Sequence, residues 1–385
     1  MVAHLSGQWG IPVQLTTDAE LFINSVEPKI NYSLQRLAPQ EVHVCPAGLL
    51  QESGIRKQEL RCCNHNGTVV LFPAGGDLGY DPLAAIFYCI TRYEEYLEYE
   101  PDAFGRYAHW NSVAWKKQFL HLPLADVWLL QLRRQLEQLF PGTLPDAPGF
   151  CFRPTYDIDM AWSYRYKPWW RTTAALLRKP SDWRNRMQVL TGRQADPFDS
   201  FQWLQQQHRG DAVAPIYFFL VATEMDPLDK NVSGRNKHLQ TLIQQTAAHA
   251  QVALHPSVYS STHPENLARE KQLLEQIVKQ TVTSSRHHFL QIHLPHSCRV
   301  LVQCGITDDY SMGYGTVNGF RASTSRSFYW YDLETEIATT LRLHPFAYME
   351  ANSLFQLQQQ PGEALEELVR LTAAVKAVSY THLTL

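Results

Sequence analysis

Thr155-Tyr156-Asp157-Ile158-Asp159 is a short strand-like run that ends in two aspartates one residue apart. Successive side chains of an extended strand alternate faces, so Asp157 and Asp159 point the same way. Two carboxylates held together need a cation, a shared proton or an arginine. Further on, Val252-Ala253-Leu254-His255-Pro256-Ser257 again closes an apolar strand with a polar group, and Gly319-Phe320-Arg321-Ala322-Ser323 adds an arginine in apolar company. Asp, Asp, His and Arg at strand ends suggest a metal-assisted hydrolase. Taken alone, the aspartates would serve equally as a turn or capping pair, and a histidine before a proline as a hydrogen-bonded loop residue.

Around this run, short strand candidates alternate with helical stretches. The pattern predicts strands at 153–158, 215–221, 251–254, 288–292, 317–322 and 343–349, and helices near 198–208, 235–249, 264–281, 332–340 and 361–376. Such alternation predicts an α/β fold of parallel strands with crossover helices, closed as a barrel or left as an open sheet, with polar groups at the carboxyl ends of strands forming the site. Upstream, 42–45 and 68–72 read as strands. Asp81-Pro82 opens a helical pattern that runs to Leu97, and 124–139 is a second amphipathic helix. Pro141-Gly-Thr-Leu-Pro-Asp-Ala-Pro-Gly149 reads as a linker. The expected organisation is a smaller N-terminal α/β domain over 1–147 and a larger α/β domain over 148–378.

With 45% hydrophobic and 12% aromatic residues, the 385-residue chain can bury a sizeable core. A net charge of −3 with scattered lysines and arginines gives no footprint for nucleic acid. The first residues lack a basic stretch followed by a long apolar one, and no window approaches the ~18 apolar residues of a membrane span. Seven cysteines with no C-x-x-C spacing, two of them the adjacent Cys62 and Cys63, read as reduced thiols in a cytoplasmic setting.

At this point the residues carry a resemblance. Thr155 to Asp159 resembles the first motif of the polysaccharide deacetylase family (NodB homology, carbohydrate esterase family 4), in the variant with a residue between the aspartates. Leu254-His255-Pro256-Ser257 is similar to its histidine motif and Phe320-Arg321-Ala322 to its arginine motif. The likeness extends to a bacterial branch with an added N-terminal domain, in which runs like Asp81-Pro-Leu-Ala-Ala-Ile-Phe-Tyr88, Arg92-Tyr-Glu-Glu-Tyr96, Ser285-Arg-His-His-Phe-Leu290 and Asp309-Tyr-Ser-Met-Gly-Tyr314 recur.

The resemblance implies a distorted parallel (β/α) barrel that binds a divalent metal, usually zinc, and removes an N-acetyl group from a sugar. Asp157 would be the general base, Asp159 and His255 metal ligands, and Arg321 the residue that holds the base. Where the family has a second histidine, four residues after the first, this chain has Tyr259, so the third ligand comes from elsewhere; His288 is the candidate. It lies in a strand-like run in which His288, Leu290 and Ile292 would share a face. The family's general-acid histidine follows a helix like 364–378. Here the ending Ser379-Tyr-Thr-His-Leu-Thr-Leu385 resembles a translated adapter, so 379–385 reads as a non-native tail on an incomplete barrel and His382 is not that acid.

Trp162, Tyr259 and Tyr310 are the expected substrate-side aromatics. Trp162 belongs to a cluster with Tyr164, Tyr166, Trp169 and Trp170 that suits either sugar stacking or packing. Asp308 to Tyr314 reads as a polar loop at a pocket mouth, and Asp229-Lys230-Asn231 as a substrate loop. The expected function is metal-dependent hydrolysis of an amide on a carbohydrate or small molecule. The alternatives are a non-catalytic carbohydrate-binding or scaffold barrel and a cyclic imide or other amide hydrolase.

Overall fold

The computed structural model describes all residues except 66, 147, 148, 179, 211, 212, 225, 379–382 and 385. His382 thus lies outside the described residues, as does the expected tail apart from Leu383–Thr384. The fold is mixed α/β, in two compact units: one holds 1–152, 293–299 and 311–384, the other 153–292 and 300–310.

In the first unit, β1 (Ile30–Tyr32) runs parallel to β2 (Val42–Val44), and β3 (Cys62–His65) antiparallel to β4 (Thr68–Leu71). Asp81 starts α1 (Pro82–Ile90), its Oδ1 accepting the Ala84 amide at 2.9 Å, while Pro82 fills a first-turn position that needs no amide donor. Helix α2 (Leu124–Leu139) buries Leu124, Trp128, Leu129, Leu132 and Leu136 at helical spacing, and the Trp128 indole donates to the Val69 carbonyl at 3.0 Å.

Two expectations fail in the later part of this unit. The helix expected over 332–340 is instead an antiparallel pair, Phe328–Asp332 with Ile337–Pro345. Leu341 and Leu343 are buried on either side of exposed Arg342, so the governing period is two, and Glu336 turns the chain at φ 55°. The strand expected over 317–322 is irregular backbone. Gly319 takes φ 133°, and its amide and that of Phe320 donate to the Ala347 and Leu120 carbonyls, both at 2.8 Å.

The second unit is wound on β5 (Thr155–Ile158), β6 (Ile216–Phe219), β7 (Gln251–Leu254), β8 (Ser284–Ser285) and β9 (Asp308–Met312), whose last two residues belong to the first unit. Each strand lies parallel to the next in chain order. That is the sequential winding of a barrel, although no closed barrel forms among the described residues. The crossovers are α3 (Trp169–Arg178), α4 (Trp183–Leu190) and α5 (Phe201–Gln207), then α6 (Lys237–Ala247), then α7 (Val258–Thr262) and α8 (Pro264–Val278). Strand β6 is buried along its whole length, as a central parallel strand requires, and Ile216 and Phe218 form a core cluster with Ala253 and Tyr310.

The strand predicted at 288–292 does not form. Strand β8 stops at Ser285, and the chain turns through the 3-10 segment His288–Leu290, with Phe289 at φ 56° and Leu290 at φ 52°. It follows β7 only that far, through the Arg286 amide on the Leu254 carbonyl and the His288 amide on the Pro256 carbonyl, both 3.0 Å. The stretch read as a polar loop at 308–314 begins instead with β9, and Asp309 is fully buried.

Candidate metal centre

Because β5 to β9 run parallel, their carboxyl ends share one edge, and this edge carries the site. Asp159 and His255 each follow the last residue of a strand, β5 and β7, and His288 lies three residues beyond β8. Asp159, His255 and His288 each offer a ligand atom, and these atoms all lie within 4.8 Å of one another. His255 Nε2 is 2.9 Å from Asp159 Oδ1, and His288 Nε2 is 3.7 Å from Asp159 Oδ2. Two ligands of tetrahedral zinc, each at about 2.0–2.2 Å, stand roughly 3.3 Å apart, so the spacing and the N, N, O donor set both suit such a cation. The two imidazoles are buried, while the Asp159 side chain is 53% exposed and leaves one side open to solvent.

The outer nitrogens are engaged as well. His255 Nδ1 donates to the Arg286 carbonyl at 2.5 Å, and His288 Nδ1 donates to the buried Asp229 carboxylate at 2.8 Å. Each ring therefore meets an oxygen at both nitrogens. It can satisfy both only as an imidazolium, or by keeping its proton on Nδ1 and giving the Nε2 lone pair to a cation. The electrostatics agree: burial opposes charge on His288, but Asp159 and Asp229 outweigh it and raise the ring to about 9. Partial loss of hydration opposes ionisation of Asp159, yet His255 and His288 hold it well below the ordinary carboxylate range.

Loop 229–231 braces this arrangement. Asp229 also accepts the Val258 and Tyr259 amides at 3.1 and 3.5 Å, which ties it to the start of α7. Asn231 Nδ2 donates to the Ile158 and Leu220 carbonyls at 3.2 and 2.9 Å, fastening the loop beyond β5 and β6.

Asp157 meets a different partner from the one its sequence suggested. Its Oδ1 accepts from Arg286 Nη1 at 3.0 Å, and Arg286 is itself held by Nε on the Tyr310 carbonyl at 3.0 Å, with its guanidinium over the Phe218 ring at 4.6 Å. Arg321 belongs to the first unit and binds Glu95 with both arms, at 2.9 and 2.6 Å, and the Gly313 carbonyl at 3.0 Å. A fully buried guanidinium needs a carboxylate partner, and Glu95, which Arg92 shares, supplies it.

The expected aromatics sit differently too. Trp162 is buried edge-on to Tyr166, with ring centroids 4.6 Å apart, and Tyr310 is buried in the core, so both pack rather than face a pocket. The Tyr259 ring stacks on His263 at 3.9 Å and adds no donor to the cluster.

Comparison with known proteins adds the following. Residues 1–141 match a family model described as a family of unknown function, DUF7033. No curated protein matches the chain. Solved structures similar to it include a protein from Mycobacterium smegmatis assigned as a polysaccharide deacetylase, at 16% identity and a TM-score of 0.39, over 62% of this chain and 77% of that one. A Puue allantoinase is similar at 8% identity and a TM-score of 0.37, over 60% of this chain and 75% of that one.

Sequence reading passed over Arg286 and underrated Asp229. The signal for Arg286 was its place directly after β8, in the same Arg-His-His run that offered His288. For Asp229 it was a carboxylate in a loop following β6. No helix among the described residues is long and apolar enough to cross a membrane.

Proposed function

We propose that the second unit is a metal-dependent hydrolase of C–N amide bonds, most specifically a de-N-acetylase of a sugar or polysaccharide. The observation that carries this reading is the convergence of Asp159, His255 and His288 at one strand edge, with the outer nitrogens of both imidazoles already committed. A divalent cation held there, zinc by the character of its donors, would polarise the acyl carbonyl and make water a nucleophile near neutral pH. Asp157 is the general base: Arg286 occupies its Oδ1 and orients it, and its side chain is 26% exposed, so solvent reaches it. Asp229 fixes the tautomer and direction of His288, and the Arg286 carbonyl does the same for His255. Arg286 thus serves the base through its side chain and a ligand through its backbone.

The test is acetate release from a panel of N-acetylated oligosaccharides, with cyclic ureides as a second panel. The reading expects release by the zinc-loaded parent, and its loss in Asp157→Asn with metal content unchanged. A zinc-loaded parent that hydrolyses neither panel would refute the catalytic reading, and one that takes only the ureides would move the substrate to a cyclic amide.

A further inference from the structure

Charge and exposure single out the crossover between β5 and β6. From Arg165 to Arg193 the chain carries eight lysines and arginines against the single acid Asp182, a net +7, whereas the whole chain is −3 and its remainder therefore −10. Arg184 and Arg193 are exposed, and Lys167 is half-buried. Within and just beyond the same stretch, large apolar side chains face solvent: Trp169 at 78%, Leu177 at 83%, Trp183 at 49% and Trp203 at 60%. Trp169 and Leu177 lie two turns apart on α3, and Trp183 and Leu190 lie seven residues apart on α4, spacings that bring each pair to one helical face. Helix α4 is seated through Val189 and Arg186, both buried, with Arg186 stacked over the Tyr164 ring at 4.7 Å. Helix α3 is fastened in place, since Arg171 donates to the Asn231 and Lys230 carbonyls at 3.3 and 3.5 Å.

We infer that α3 and α4 form a docking surface for an anionic lipid bilayer. Indole and leucine side chains on exposed helical faces, flanked by cations, match the boundary between acyl chains and headgroups, where tryptophan is favoured and each nearby cation adds attraction to anionic lipid. A soluble polyanion would use the cations but gains nothing from Leu177 or Leu190. The local +7 on an otherwise acidic chain directs this face toward negative charge. The surface depends on no assumption about the metal centre.

The experiment is cosedimentation of the full chain with vesicles of phosphatidylcholine alone or mixed equally with phosphatidylglycerol, at low and at high salt. Pelleting on the anionic vesicles should exceed that on neutral ones by at least about tenfold and fall in high salt, with a blue shift of tryptophan emission. Trp169→Ser with Leu177→Ser and Trp183→Ser should cut it by about tenfold, as should Arg184→Glu with Arg193→Glu, each variant keeping the parent's thermal midpoint. Absence of pelleting, equal pelleting on both lipids, or undiminished pelleting of the folded apolar variant would overturn the inference. Retention on heparin without pelleting would also overturn it, by assigning the face to a soluble polyanion.

Discussion

Replacing Asp229 perturbs the metal centre without removing a donor from it. Its carboxylate is fully buried, accepts His288 Nδ1–H at 2.8 Å, and also takes the Val258 and Tyr259 amides. Carboxylates behind a metal-bound imidazole typically contribute about 10–100-fold in metal affinity, or roughly 1.4–2.7 kcal/mol at about 1.36 kcal/mol per tenfold. Asp229→Ala removes the acceptor outright and should fall near the upper figure. Asp229→Asn keeps one carbonyl, which cannot serve the imidazole and the amides as well as a carboxylate does, and should fall near the lower. His288→Ala removes a donor and should exceed both. The assay is competition against a chromophoric zinc chelator at fixed pH, with far-UV circular dichroism to confirm folding. Parental zinc affinity in a folded Asp229→Ala would refute the reasoning, because His288 would then need no partner on its outer nitrogen.

Arg286→Met leaves Asp157 without its guanidinium while sparing the backbone carbonyl that holds His255, so zinc affinity should change by less than threefold or so while any amide turnover falls by about a hundredfold or more. Glu95→Gln leaves the buried Arg92 and Arg321 without their shared carboxylate and should cost about 3–5 kcal/mol in urea unfolding. Glu95 also sets a pH dependence. Burial opposes its charge, but Arg321 and Arg92 outweigh that and bring it from the ordinary 4.5 down to about 2. A depressed carboxylate stabilises the fold above its unfolded value, so this contribution, on the order of 3 kcal/mol, should be present above pH 4.5 and fade as pH falls toward 2. The gap between parent and Glu95→Gln should narrow over that window. Gly319→Ala forces a side chain onto φ 133°, with its Cβ 2.7 Å from the Leu120 carbonyl oxygen, and should cost about 1–3 kcal/mol by thermal or urea unfolding.

Residues at strand ends were the legible part of the site. Asp159 and His255 follow apolar runs whose period declares strands, so their arrival at one edge could be anticipated from local pattern alone. His288 was offered from a strand-like run, which is the wrong local reason, since it stands on a 3-10 turn where a strand was expected. Arg321 misled because burial of an arginine is readable from its apolar neighbours and the identity of its carboxylate is not. Glu95 lies 226 residues away, and only the fold pairs them. Asp309 misled in the opposite sense: an acidic pair with a nearby glycine reads as a solvated loop, yet parallel pairing with β8 and the Ser285 hydroxyl at 2.8 Å bury it. The helix expected at 332–340 failed because the alternation of Leu341 and Leu343 spans too few residues to outweigh the charged run before it.

The account rests on one cation shared by three side chains from the ends of different strands. The direct measurement is metal content by mass spectrometry of the protein equilibrated with zinc and desalted, beside Asp159→Ala, His255→Ala and His288→Ala. The account predicts close to one zinc per folded parent chain and a loss of most of it in each variant. A parent that retains no zinc, or folded variants that retain as much as the parent, would contradict it.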